Sequence, residues 1–374
     1  MRFYNTLTRR EEEFVPLRGR QVRMYTCGLT VYAYGHIGNF RTFVCLDVLR
    51  RALKYLEGYD VRQVMNYTDV DDRTIIESEK SGLPLREYTD RYISAFQEDA
   101  VRLGLEPVEE TPRATDEANL HAMTGMIEAL EKNGHTYRSD GSIYFKISTM
   151  PQYGQLARLD HEGIKPGARV DADRYDKEDA RDFVLWKAKK EDGEASWETP
   201  LGTGRPGWHL ECSTMSMKYL GESFDVHSGG VDLIFPHHEN EIAQSEGATG
   251  KTFARHWFHV AHLKVEGGKM SKSLGNLHTV DDVESWGFEP NDLRYSLLAG
   301  HYRQPLNFTK DSLNACRSAR RRLGQFAASL PGDVGESASG FSVFEPVLDA
   351  LLENLNTPRA LGLLHSISHD ASSD

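Results

Sequence analysis

Residues 21 to 65 constrain the fold more than any other stretch of the chain. Gln21 to Cys27 alternates roughly between polar and apolar side chains, the two-residue period of a strand, and Gly28 ends it. From Thr42 the period lengthens. Cys45, Val48, Leu49, Ala52 and Leu56 recur at helical spacing, and Asp60 to Met65, with Val61 and Val64, reads as a second strand. The three pieces make a β-α-β unit. In such a unit the glycine-bearing turn meets the positive end of the helix, where backbone N–H groups favour a phosphate.

Strand candidates return at Phe224 to His227 and at Trp257 to Leu263, bracketing a helix near Glu239 to Glu246, and would complete a parallel sheet around the first unit. Between them, Leu105 to Ala248 is mixed. Helical runs are expected at Glu117 to Glu131 and Glu178 to Lys190, with turn-rich stretches at Gly163 to Gly167 and Gly193 to Gly207. Beyond lie short helical segments at Asp281 to Trp286 and Asp292 to Leu298, and a long helix from Thr309 to Leu330. A Gly/Ser-rich linker from Gly332 to Gly340 precedes a last helical run from Phe344.

The reading is an α/β protein: a Rossmann-like parallel-sheet catalytic domain in two halves, 1–104 and 223–276, separated by a connective insertion, 105–222. A connector, 277–308, and a helical bundle, 309–374, follow. The chain has 374 residues and 39% hydrophobic side chains, enough for several cores. No run of about 18 apolar residues is present, and Met1 to Asn5 is not the start of a secretory signal, so a cytoplasmic protein is expected with no membrane partner. A formal charge of −12 rules out a generic polyanion binder, so any nucleic-acid contact must be local. Four cysteines, at 27, 45, 212 and 316, are too few for a disulfide framework. Cys45 and Cys316 read as small buried hydrophobes, and metal or catalytic roles come first for Cys27 and Cys212.

Two short segments carry the chemistry: His36-Ile37-Gly38-Asn39 at the head of the first helix, and Gly268-Lys269-Met270-Ser271-Lys272-Ser273. Together they resemble the paired nucleotide signatures of class I aminoacyl-tRNA synthetases. Adenylation of a carboxylate is an in-line attack on the α-phosphorus of ATP, so the protein needs donors and positive charge. The resemblance implies that His36, Gly38, Asn39 and Asp232 meet ATP, and that Lys269 and Lys272 neutralise the leaving pyrophosphate. Asn39 stands where the usual signature has a second histidine; its amide can donate a hydrogen bond but cannot carry charge. Magnesium is expected with ATP, although no dedicated ligand set is visible.

His237 and Glu241 are four apart on an expected helix and share a face. With Cys27 and Cys212 they make two thiolates, an imidazole and a carboxylate, all good zinc ligands. Spacing alone leaves His238 open as the imidazole. The set resembles the zinc site of the cysteinyl-tRNA synthetase family, as do Tyr25-Thr26-Cys27-Gly28, Asn66 to Asp72, Asp182 to Lys187 and Phe224 to Gly230, in a similarity running from residue 3 to about 310. It implies one Zn2+ per chain that selects cysteine through its thiolate, a far better ligand than the serine hydroxyl. It also implies that Trp208, Gly28, Thr68 and His227 lie around the substrate. The implied activity is a cysteine:tRNA ligase working on L-cysteine, ATP and tRNA(Cys), as a monomer.

Two other readings share these residues: a ligase joining cysteine to an amino sugar, as in mycothiol-type biosynthesis, and a non-catalytic zinc-binding paralogue. Arg317, Arg320, Arg321 and Arg322 could meet tRNA phosphates or form a solvated helix face. The chain stops at Asp374, inside the expected bundle, and the family's anticodon-binding module would be missing. Cysteine activation with weak tRNA charging is the resulting expectation.

Overall fold

The computed structural model describes residues 1–159, 182–191, 193–270, 275–330 and 342–370, with Lys269 described by its backbone. An antiparallel hairpin, β1 (Arg2–Asn5) and β2 (Arg10–Glu13), precedes β3 (Gln21–Thr26), which is buried throughout after Gln21. Next comes α1 (Ile37–Arg51). It begins before the apolar period shows, because its start is set by a cap: the His36 ring accepts from the Asn39 backbone N–H, and the Asn39 side chain accepts from the His36 N–H. The signature is therefore the first turn of the helix. β4 (Asp60–Met65) then pairs in parallel with β3, from Gln21 opposite Asp60 to Thr26 opposite Met65. This is the expected β-α-β unit.

Helices α2 (Asp72–Ser81), α3 (Leu85–Arg102) and α4 (Glu117–Lys132) lead into an antiparallel sheet of β5 (Thr136–Ser139), β6 (Ser142–Phe145), β7 (Phe183–Ala188) and β8 (Gly204–Pro206). β7 corrects the helix expected over Glu178 to Lys190. Glu178 lies outside the described residues, as do Gly163 to Gly167, and Phe183 to Lys187 is a fully buried strand between β6 and β8. A run buried on every side shows no period, so its neighbours decide its form.

Helix α5 (Trp208–Leu220) packs on α4 and β3. Then β9 (Phe224–Gly230), α6 (Glu239–Thr249) and β10 (Ala254–Val260) close a four-stranded parallel sheet in the order β10-β9-β3-β4. The chain crosses to β4 on one side of β3 and to β10 on the far side of β9. The strand order thus reverses between β3 and β9, and their carboxyl ends make the crevice where this kind of sheet binds ligands.

The strand expected as far as Leu263 breaks after Val260. β11 (Leu263–Val265) instead joins β12 (Gly268–Lys269) and β13 (Leu306–Phe308) in a small separate sheet, with α7 (Val280–Ser285) and α8 (Pro290–Leu298) between β12 and β13 in sequence. α9 (Lys310–Ser329) matches the expected long helix. The expected linker, Gly332 to Gly340, lies entirely outside the described residues. The single run expected from Phe344 is two helices, α10 (Glu345–Leu352) and α11 (Thr357–Asp370), divided where Asn354 and Leu355 adopt φ of 56° and 49°. Such left-handed backbone cannot continue a helix.

One contact joins the two ends of this architecture. Arg41, buried in α1, donates from its guanidinium to the Leu297 carbonyl in the last turn of α8 and to the carbonyls of His301 at 2.9 Å and Gln304 at 3.3 Å just beyond. A cation at the negative end of a helix is favourably placed.

Candidate active site and metal centre

At the carboxyl end of β3 the backbone turns tightly against its neighbour. Gly28 donates its N–H to Asn66 Oδ1 at 3.0 Å, and a Cβ on Gly28 would overlap the Asn66 carbonyl, so only glycine fits. A few residues on, the cap of α1 decides how His36 presents itself. Its Nδ1 accepts the Asn39 N–H at 3.2 Å, which leaves the proton on Nε2. Burial pushes this imidazole below its ordinary value while Asp232 pulls it back, so a neutral Nε2–H donor results. Asn39 uses Oδ1 in the cap, and its Nδ2 is the amide donor that remains.

The two signatures meet here. A Cβ placed on Gly38 would stand 3.0 Å from His36 Nδ1 and 3.3 Å from the Met270 sulfur, so Met270 of the second segment lies directly over the first turn of α1. Ile37 also donates its backbone N–H to the His278 carbonyl at 2.8 Å. Lys269 enters this region in register with Lys264, and Lys272 lies outside the described residues.

Beneath this surface is a buried cluster of sulfur, imidazole and carboxylate. Cys27 Sγ is 3.7 Å from Cys212 Sγ, 3.5 Å from Glu241 Oε1 and 3.3 Å from His238 Nε2. His237 Nε2 lies 3.0 Å from Glu241 Oε1, and His227 Nε2 lies 2.8 Å from Glu241 Oε2. Two four-residue sets have donor atoms all within 4.8 Å of one another: Cys27, Cys212, His237 and Glu241, and Cys27, His227, His238 and Glu241. The first is the set read from the sequence. His238, left open by spacing, is indeed within reach, so the structure brings both histidines to the cluster.

Charge separates the members. Burial and Cys212 push the Cys27 thiol well up. Burial opposes ionisation of Cys212 too, but the Cys27 S–H and His237 outweigh it and bring that thiol down to about 6. Glu241, also opposed by burial, is held at about 2 by His227 and His237, while Glu241 and Cys212 raise His237 to about 10 against the effect of its burial. Anionic donors gathered in a dry pocket suit a divalent metal, and the mix of thiolate, imidazole and carboxylate suits zinc.

An outer ring of polar contacts orients these groups, and the sequence reading missed most of it. His209 Nδ1 meets His237 Nδ1 at 2.9 Å. His238 Nδ1 meets His259 Nε2, whose other nitrogen meets Thr6 Oγ1, both at 2.8 Å. Contacts of this kind fix the ring a metal would see. Trp208, 38% exposed, stacks on His237 with centroids 4.2 Å apart. Asn66 donates from Nδ2 to the Thr68 hydroxyl at 3.3 Å. His227, expected near the substrate, faces the Glu241 carboxylate and stacks on Trp257. A single sequence signals none of these pairings, because the partners of His209, His238 and His259 are set by the packing of β10 and α6.

Residues 13–318 match the model of the class I (C) tRNA synthetase catalytic domain. The cysteine–tRNA ligase of Solibacter usitatus is 49% identical over 382 residues, covering all of this chain and 81% of that protein. The chain belongs to the cysteine–tRNA ligase family of class I synthetases. Brachyspira hyodysenteriae has another 49% identical family member, aligned over 98% of this chain and 79% of its own length. Among solved structures, Mycobacterium tuberculosis methionyl-tRNA synthetase in complex with methionyl-adenylate superposes with a TM-score of 0.68 over 95% of this chain and 83% of that one, at 16% identity. A putative arginyl-tRNA synthetase from Campylobacter jejuni gives 0.59 at 14% identity, over 95% and 86%. At such identities the two structures speak for the fold alone, and the family's class I architecture is the one described above.

Proposed function

We propose that this chain activates L-cysteine with ATP and transfers it to the 3′ end of tRNA(Cys). The supporting observation is the placement of both nucleotide signatures, in contact through Met270, Gly38 and His36, at the same crevice as a buried cysteine, histidine and glutamate cluster. In the first step a carboxylate oxygen of cysteine attacks the α-phosphorus, the bond to the bridging oxygen breaks, and pyrophosphate leaves. His36 Nε2–H and Asn39 Nδ2–H donate to phosphate oxygens, with Gly38 and Asp232 beside the nucleotide. Lys269 and Lys272 neutralise the charge that grows on pyrophosphate, and Mg2+ accompanies ATP. In the second step a ribose hydroxyl of the tRNA attacks the activated carbonyl and AMP departs.

Cys27, Cys212, His237 and Glu241 would hold a zinc ion, which when bound supplies a soft Lewis-acid site for the substrate thiolate. Gly28 lets the backbone pass close to the amino acid, Thr68 offers a hydroxyl there, Trp208 walls the pocket, and His227 holds the Glu241 carboxylate. Selection by sulfur at the binding step removes the need for a separate editing site. No helix among the described residues is long and apolar enough to cross a membrane. The work on tRNA we assign to the cytoplasm and to a monomer.

The test is exchange of labelled pyrophosphate into ATP with cysteine, with serine as control. Cysteine-dependent exchange at least about a hundredfold above serine is expected from a site that reads the thiol directly. Absence of exchange in the zinc-loaded protein would refute adenylation, and comparable rates with serine would refute thiol selection. Release of AMP on adding tRNA, and not on adding an amino sugar, identifies the acceptor.

A further inference from the structure

Tyr25 lies on β3 two residues before Cys27, which follows the last residue of the strand and still donates its N–H to the Ser228 carbonyl at 3.2 Å, so both side chains leave the same face of the sheet. The residue is fully buried, its ring 5.4 Å from that of His227. Its hydroxyl makes no well-formed hydrogen bond among the described residues, although the side chains that act on it electrostatically are Cys212, Cys27 and Glu241. A buried hydroxyl without a partner destabilises a fold, and phenylalanine would fill the same space without that penalty.

The cluster gives the hydroxyl a use. With two thiolates, one carboxylate and a neutral imidazole around a doubly charged ion, the centre carries one net negative charge, and a substrate thiolate adds a second. Charge buried in this way requires donors pointing at it. Cys27 has His238 Nε2 at 3.3 Å. The polar atom nearest Cys212 in hydrogen-bonding geometry on the side of Asn66 is Oδ1 at 3.6 Å, an acceptor already engaged by the Gly28 N–H, and Asn66 Nδ2 is turned to Thr68. Cys212 therefore lacks an outer donor on that side when it is a thiolate.

We propose that Tyr25 is a positioning residue of the metal centre, its hydroxyl donating to the Cys212 thiolate and thereby setting how much negative charge that sulfur presents to the metal. The inference rests on the zinc reading of the cluster. Tyr25→Phe is the test, measured as zinc affinity by chelator competition and as the sulfur-to-cobalt charge-transfer band of the Co2+-substituted protein. Zinc affinity should fall roughly tenfold or more, the usual effect of losing an outer-shell contact, and the band should move to longer wavelength as the sulfur becomes more electron-rich. The metal-free variant should melt at or above the parent's temperature, because the orphaned hydroxyl is gone.

An affinity within about twofold of the parent together with an unmoved band would overturn the proposal, since a tyrosine that merely packs predicts that result. A metal-free variant that melts well below the parent would also overturn it, by contradicting the premise that the hydroxyl is unsatisfied. If the parent binds neither zinc nor cobalt, the zinc reading fails first and carries this inference with it, a result distinct from normal binding that Tyr25→Phe leaves untouched.

Discussion

Asn39 caps α1 with Oδ1, which leaves Nδ2 as the donor we assign to an ATP phosphate. The two roles separate by substitution. Asn39→Asp keeps the capping acceptor but sets a negative charge beside the nucleotide, so the melting temperature should hold while KM for ATP rises at least about tenfold. Asn39→Ala removes both, and should lower stability by about 1 kcal/mol along with the exchange rate. Melting curves and pyrophosphate exchange on both variants check the pair. At Gly28 the expected outcome is harsher: Gly28→Ala forces a methyl into the Asn66 carbonyl and should cost several kcal/mol or prevent folding, read by urea denaturation. Single residues were the most legible part of the site. Cys27, Cys212, His237 and Glu241, which the fold brings together, could be named because residue type and resemblance point to a metal set, whereas the pairings of His209 and His259 could not, because their neighbours come from distant segments.

Among the elements, α1 shows where periodicity works and where it stops. Its apolar face was readable from Cys45 onward, and the period ran past its end at Arg51 to Leu56, but its first turn, Ile37-Gly38-Asn39-Phe40, is fixed by the His36–Asn39 cap and sets no period of its own. β7 failed for the opposite reason: with every residue from Phe183 to Lys187 buried, no polar face marks a strand or a helix. Two predictions belong here. Arg41→Met should destabilise the protein by about 2–4 kcal/mol, because the carbonyls of Leu297, His301 and Gln304 lose their buried donor; urea denaturation measures it. On α3, burial pushes Asp99 up to about 6, with Arg102 opposing and Asp281 adding to the rise. A folded-state value above the unfolded one means protonation stabilises the fold, an advantage present at about pH 4 and lost as pH rises to about 6. The gain in stability of Asp99→Asn over the parent should therefore grow by about 1–2 kcal/mol between pH 4 and pH 7, after allowance for the partial solvent screening of the site, and a flat difference would contradict it.

For the whole molecule, the parallel sheet and its position between signature segments were legible from the return of strand patterns after residue 223, and the reversal of strand order then located the crevice. The antiparallel sheet from β5 to β8 was not, since its strands are short and lie far apart in sequence. A metal held by Cys27, Cys212, His237 and Glu241 would tie β3, α5 and the start of α6 together, so removing it with a chelator should lower the melting temperature by several degrees as well as abolish cysteine-dependent exchange. Restoration of both by zinc, and by neither calcium nor magnesium, is the expected control.

The same separation in sequence governs how the protein is born. Cys27 and Glu241 touch across 214 positions, so at roughly 5–20 residues per second the thiol of Cys27 emerges from the ribosome about 10–40 s before its carboxylate partner. Over that interval β3 has β4 beside it but no β9, and one edge of the nascent sheet stays open. Capture of a metal by the proposed four-residue set can only follow the arrival of α6. Loading of the proposed centre would therefore come late in synthesis, after Cys27 has waited through that interval without its carboxylate partner.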